Sequence, residues 1–173
     1  TTNEPTFIDL FNGVLDLQKK IIKTPGKAED SFSDDPLRMM RAARFMSQLN
    51  FEVDESVLVA IKNMAARLEI ISAERIRDEF IKIMMSSSPR LGITLLVETG
   101  LSDYFLPEVP KLKLEIDEHH HHKDVYEHSL TVLEQAIALE DRLSGANLTL
   151  RLAALLHDIG KPKTKQLIAG GGV

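Results

Sequence analysis

The sequence has no cysteine, which excludes a disulfide framework and every thiolate metal site and leaves histidine, aspartate and glutamate as the strong metal ligands. A reducing compartment fits that composition. No uninterrupted apolar run approaches the roughly 20 residues a bilayer crossing requires, and the N-terminus lacks a basic-then-apolar secretory pattern. These absences point to a soluble cytoplasmic protein with no membrane partner. Two-residue alternation is also missing and β-branched runs are few, so strands are not expected to dominate. What remains is a chain of 173 residues, 43% of them hydrophobic, enough to bury one or two modest cores.

The formal net charge of −5 argues against a generally basic nucleic-acid binder, but the charge is unevenly placed. Between Gln18 and Arg44 the basic residues Lys19, Lys20, Lys23, Lys27, Arg38, Arg41 and Arg44 outnumber the acidic Glu29, Asp30, Asp34 and Asp35. A polyanion therefore finds its best surface within the first fifty residues, and such binding weakens with salt. A solvated face accounts for the charge equally well.

Helical periodicity predicts an all-α fold. One helix starts near Asp34 or Asp35 with Pro36 in its first turn. Met39, Ala42, Met46 and Leu49 form its core stripe, and Arg38, Arg41 and Arg44 step along the other side. Asp54 is read as the cap of a helix striped by Leu58, Ile61, Ala65 and Leu68, and Ser72 as the cap of another carrying Ile76, Phe80 and Ile83. Ser86-Ser87-Ser88-Pro89 breaks the pattern before a helix around Leu91–Glu98, which Gly100 closes. From Leu106 to Glu118 the periodicity lapses, and a boundary is expected over 106–121. Beyond the run His119-His120-His121-His122, read as native loop, Leu130, Leu133 and Ile137 stripe a further helix. Leu148–Leu156 is apolar almost all round, as in a helix at a domain centre, and Gly160 and Pro162 end it. No internal repeat is present, and Gly170-Gly171-Gly172 is the other low-complexity feature.

The chemistry of the first unit rests on its arginines. Arg38 lies three residues from Asp35 and four from Asp34, within reach of an ordinary helical ion pair of roughly 0.3 to 0.5 kcal/mol. Arg41 and Arg44 have no acidic residue three or four positions away on the helix, and guanidinium groups in that state favour an anion. Arginine suits bidentate recognition of phosphate or a base edge, and a nearby carboxylate adds an acceptor for an exocyclic amine. In the second unit, His157-Asp158 ends one helix and His128 lies on the helix before it. Two imidazoles and a carboxylate converge on one divalent cation when the two helices pack together.

The run Phe32-Ser33-Asp34-Asp35-Pro36-Leu37-Arg38-Met39-Met40-Arg41-Ala42-Ala43-Arg44-Phe45 resembles the neck signature of class II tRNA nucleotidyltransferases, the CCA-adding enzymes and bacterial poly(A) polymerases. Asp9-Leu10-Phe11-Asn12-Gly13-Val14-Leu15-Asp16-Leu17 is similar to the family segment joining catalytic head to neck. Ser72-Ala73-Glu74-Arg75-Ile76-Arg77-Asp78-Glu79 is similar to the helix that braces the nucleotide-reading helix. The resemblance implies that Asp35 and Arg38 hydrogen-bond the Watson–Crick edge of incoming CTP or ATP, while Arg41 and Arg44 neutralise the triphosphate and hold the template side chains. Many family members have Glu at the position of Asp34. Glu74, Arg75 and Arg77 are read as bracing. Leu155-Leu156-His157-Asp158-Ile159-Gly160-Lys161 resembles the start of an HD phosphohydrolase domain, with His128, His157 and Asp158 as candidate metal ligands; that pattern also uses a later Asp, and none follows Asp158 here.

The resemblance therefore implies a helical neck and body over 1–105, a linker over 106–121 and the first part of an HD domain over 122–173. The implied partners are tRNA, CTP and ATP. Nucleotidyl transfer needs paired strand carboxylates that hold Mg2+ behind a Gly-Ser loop. No such pair is present, and Glu115-Ile116-Asp117, the nearest spacing match, is read as solvated acid. No catalytic residue is therefore expected in this chain, and no CCA addition by it alone. The rival readings are a poly(A) polymerase, an HD metal phosphohydrolase and a non-catalytic RNA-binding module.

Overall fold

A computed structural model describes residues 8–114 and 124–164; Glu115-Ile116-Asp117, the histidine run and the glycine tail lie outside them. The described chain is all-α apart from one pair of two-residue strands. In order, it contains α1 (Gly13–Lys19), β1 (Ile21–Ile22), α2 (Ala28–Asp34), α3 (Leu37–Leu49), β2 (Glu52–Val53), α4 (Glu55–Met64), α5 (Ala73–Met84) and α6 (Pro89–Glu98). These are followed by α7 (Glu108–Lys111), α8 (Val125–Ala138), α9 (Leu148–Leu156) and α10 (Lys161–Thr164).

Helix α3 is the spine, packed along α5 and α6. It contributes Met39, Met40 and Ala43 to a core shared with Ile83 and Met84 of α5 and Ile93 and Leu96 of α6. Full burial of the Met, Ile and Leu side chains among these stabilises by roughly 1.5–3 kcal/mol each. Gly92 permits the close approach of α6: a Cβ there would lie 2.1 Å from Ser47 Oγ, 2.8 Å from Ile83 Cγ2 and 3.0 Å from the Ala43 carbonyl oxygen. The expected stripe of α3 is shifted in its last turn. Leu49 is 49% exposed, and Ser47 takes the inward position, donating its hydroxyl to the Ala43 carbonyl at 3.0 Å.

Local chemistry accounts for several helix starts. Asp54, Asp124 and Asn147 accept from backbone N–H groups of Ser56, Glu127 and Leu150, each cap contributing about 1 kcal/mol. Pro89 occupies the first turn of α6, where its missing N–H is harmless. Asp9 accepts from the N–H groups of Gly13 (2.7 Å) and Val14 (3.0 Å), so the Asp-to-Gly spacing of that segment makes the start of α1. Those bonds, Val14 foremost, hold the Asp9 carboxyl below the usual range. The parallel strands pair Ile21 with Glu52 and Ile22 with Val53. They are too short for an alternation to register in sequence.

Two expectations differ in detail. Residues 106–114 are not without periodic structure: α7 and the single turn Leu112–Leu114 follow Pro107, with Val109 and Leu112 buried. Helix α9 is not buried all round among the described residues; Arg151, Ala154 and Leu155 are its buried positions. The lone charge of that run is thus an inward residue. Arg151 donates to both oxygens of Glu140 (2.7 and 2.6 Å) and to the carbonyls of Met84 (2.6 Å) and Ser86 (2.8 Å). It ties α9 to the end of α5, where a cation also meets the negative end of the helix.

Candidate nucleotide-reading and metal-ligating sites

The Asp-Asp-Pro sequence bends the chain between α2 and α3. A residue before proline is pushed out of the helical region, and Asp35 accordingly has φ −145° and ψ 101°. Asp34 therefore ends α2, and α3 begins at Leu37. The extended backbone lets Asp35 Oδ1 accept from the Leu37 N–H at 3.2 Å, satisfying an otherwise free helix donor. Arg75 at the start of α5 reaches the same carboxylate, 3.1 Å from Oδ2 and 3.3 Å from Oδ1.

The three arginines of α3 have different surroundings. Arg38 is exposed, donates to the Ser31 carbonyl (3.2 Å) and hydroxyl (3.0 Å), and lies 3.7 Å from Asp34 Oδ2. Arg41 is exposed, lies 6.0 Å from the Phe45 ring centre and forms no ion pair among the described residues. Arg44 turns inward, and here the reading of an unneutralised row is corrected. Its guanidinium meets Glu79 of α5 at 3.2 Å, with side-chain exposures of 13% and 7%, and lies 4.5 Å from the Phe45 ring centre. Lys82 joins the same Glu79 oxygen at 3.0 Å. The cause is geometric. At 3.6 residues per turn a step of three falls about 60° short of a full turn, so Arg44 sits about 120° around the helix from Arg38. That rotation carries it to the flank packed on α5. Arg44 Nε and Glu79 Oε2 are buried without a hydrogen-bond partner among the described residues.

A cavity of about 350 Å³ opens beside α3. Arg38 and Arg41 line it, together with Lys23, Thr24 and Ser31, over walls that include Phe32 and Phe45. Asp35 and Arg44 lie outside its lining. The sequence marks Lys23 only as one member of a basic stretch and Ser31 not at all, because their place beside α3 depends on the β1–β2 pairing and the docking of α2. Glu79 had a signal, an acid inside an amphipathic helix, although only packing identifies its partner.

In the second unit the packing of α8 on α9 brings His128, His157 and Asp158 together, with one ligand atom from each lying within 4.8 Å of the others. The Nε2 atoms of the histidines are 3.3 Å apart, and Asp158 Oδ2 lies 3.1 Å from His157 Nε2 and 3.9 Å from His128 Nε2. Two ligands at 2.0–2.1 Å from a tetrahedral ion are separated by about 3.3 Å, so the donor set fits one divalent cation. His157 Nδ1 lies 2.9 Å from the Ala154 carbonyl, and donation there leaves Nε2 as the ligand atom. Lys161 Nζ is 2.8 Å from Asp158 Oδ2, a positive group already resting on the carboxylate.

Comparison with known proteins agrees with both halves. A family model described as the probable RNA and SrmB-binding site of polymerase A matches residues 50–112, and the HD domain model matches residues 125–170. Together they define the class: a polymerase-A-type helical body joined to the start of an HD domain. The A-adding tRNA nucleotidyltransferase of Deinococcus radiodurans is 36% identical over 162 residues, an alignment covering 91% of this chain and 36% of the relative. The CCA-adding enzyme of Lactobacillus delbrueckii subsp. bulgaricus is 49% identical over 96 residues, 56% of this chain and 24% of the relative. Among solved structures, Bacillus stearothermophilus CCA-adding enzyme in complex with CTP superposes with a TM-score of 0.60 at 32% identity, over 86% of this chain and 37% of that one. Over most of its length the chain is similar to CCA-adding enzymes, in the stretch that holds their neck and the start of their HD domain. It covers roughly a third or less of the curated relatives' length.

Proposed function

We propose that the protein containing this chain is a cytoplasmic tRNA nucleotidyltransferase that transfers CMP and AMP from CTP and ATP to tRNA 3′ ends, and that this part reads the incoming base. The observation that carries the reading is the bend at Asp35-Pro36. It puts a braced carboxylate and the exposed guanidinium of Arg38 at one helix start, supplying the acceptor and donors needed to pair with a base edge. The complexes of related CCA-adding enzymes with CTP, with ATP and with tRNA support the choice of substrates. Arg41 faces the triphosphate, and Arg44 holds α3 against α5 so that the template residues keep their positions. The neck occupies 1–105, the linker 106–121 and the HD portion 122–173. Mg2+ for phosphoryl transfer is held by carboxylates that this sequence does not contain, whereas His128, His157 and Asp158 hold a separate divalent cation.

A second reading has support from the A-adding relative: addition of the terminal A alone. A poly(A) polymerase uses ATP alone, as an A-adding enzyme does, and differs from both readings in its acceptor. The test is incorporation of labelled CTP and ATP by the complete protein into tRNAs ending before the CCA or before the terminal A. Arg38→Ala and Asp35→Ala are expected to lose nucleotide discrimination. Unaltered selectivity in both variants overturns the template reading, and absence of CMP incorporation by the wild type selects A addition.

A further inference from the structure

The cavity beside α3 contains a cation that the template reading leaves unused. Lys23 follows β1, and the β1–β2 pairing places it opposite Asp54. Its Nζ is 3.7 Å from Asp54 Oδ2, beyond hydrogen-bond range, and its side chain is 48% exposed. Asp54 has a stronger partner in Ser56, the largest cause of its lowered carboxyl pKa, with Lys23 a lesser one. The Asp54 carboxylate accepts from the Ser56 N–H at 3.0 Å and from the Ser56 hydroxyl, so the α4 cap survives if Lys23 turns away.

The lining of the cavity contains Lys23, Arg38 and Arg41 and no carboxylate. Arg38 is already shared with Ser31, whereas Arg41 forms no ion pair among the described residues. The Thr24 and Ser31 side chains add hydroxyl groups, and Ile22, Pro25, Phe32, Phe45 and Val57 supply apolar walls. A volume of about 350 Å³ falls within the range of small-molecule sites, roughly 300–1,000 Å³. Cations around an apolar floor suit a ligand with a polyanionic end and a flat apolar body. A lysine on a flexible four-carbon stem acts there as a mobile point charge for phosphate.

We propose that Lys23, with Arg41, binds the phosphate groups of the incoming nucleoside triphosphate at the mouth of this cavity, exchanging Asp54 for the ligand. The inference rests on the base-reading function proposed above and adds a phosphate-binding residue outside the Asp35–Arg44 segment. Because Lys23 contacts phosphate and not the base, its contribution is the same for CTP and ATP.

Titration calorimetry on the complete protein at low salt, with CTP, ATP, inorganic tripolyphosphate and cytidine as probes, tests this. The wild type is expected to bind both nucleotides and tripolyphosphate in competition, and cytidine far more weakly. Lys23→Ala is expected to weaken CTP, ATP and tripolyphosphate alike, by roughly 5- to 10-fold, with a melting temperature close to wild type, and Lys23→Arg is expected to restore most of the loss. Wild-type affinity of Lys23→Ala for tripolyphosphate overturns the proposal, as does failure of the wild type to bind that ion. Dependence on Lys23 for an oligocytidylate without a triphosphate, but not for CTP, overturns it in favour of RNA backbone. Tripolyphosphate has no base, so its outcome is independent of the Asp35 and Arg38 selectivity test, and either reading can fail alone.

Discussion

Arg75 Nη2 lies 3.1 Å from Asp35 Oδ2 across a sequence separation of 40 residues. This contact joins the first turn of α5 to the carboxylate at the start of α3. The bracing expected of Ser72–Glu79 thus has a specific form, in which Arg75 fixes the carboxylate that α3 presents beside Arg38.

Arg75→Ala is expected to affect selectivity more than stability. The Arg75 side chain is 52% exposed, and an exposed ion pair contributes at most about 1 kcal/mol. Urea unfolding of the chain should show a loss of that order. In the complete protein the ratio of CMP to AMP incorporation should shift, because Asp35 loses the partner that orients it.

Arg44 and Glu79 should behave in the opposite way. Their side chains are 13% and 7% exposed, and removing one partner of a buried pair costs about 3–5 kcal/mol. Arg44→Ala is expected near the lower end, since Lys82 still reaches Glu79. The double change Arg44→Met, Glu79→Leu should recover most of the loss. Urea midpoints with unchanged slopes provide the measurement.

Glu140 should make stability depend on pH. Hydrogen bonding from Arg151 holds its carboxyl below the ordinary value of 4.5. A depressed folded-state value means that the contribution is fully present above the ordinary value and is lost as pH falls through the folded one. Melting temperatures between about pH 6 and pH 3 should therefore drop below pH 4.5, and Glu140→Gln should flatten this part of the curve. At pH 6 the variant should be less stable by about 3 kcal/mol, because Arg151 stays buried with half its partner's charge-assisted bonds replaced.

The His128, His157 and Asp158 cluster should respond to a divalent metal. Zinc or manganese added in hundredfold excess over its dissociation constant should stabilise the chain by about 2.7 kcal/mol. His157→Ala should abolish the shift in melting temperature and the bound metal measured by mass spectrometry. Retention of both would assign the metal elsewhere.

Much of the local structure was legible in the sequence. Asp54, Pro89 and Gly100 mark helix ends by side-chain or backbone chemistry that acts within a few residues. The spacing of His128 from His157-Asp158 marks a metal-type cluster once two helices are assumed to pack. The row of α3 arginines was legible as residues but not as a set of equals, because drift around the helix separates Arg38 from Arg44.

The sequence by itself determined the helical class, the main helices and the chemical types gathered at each site, since periodicity, capping and charge act over short stretches of chain. Only the tertiary structure decided which cation meets which anion. The packing of α5 gives Arg44 to Glu79 and Arg75 to Asp35, and the packing of α9 gives Arg151 to Glu140 and the end of α5. The two-residue strands place Lys23 beside α3. These pairings span long intervals of sequence, and a charged side chain carries no mark of the distant partner that folding brings within reach.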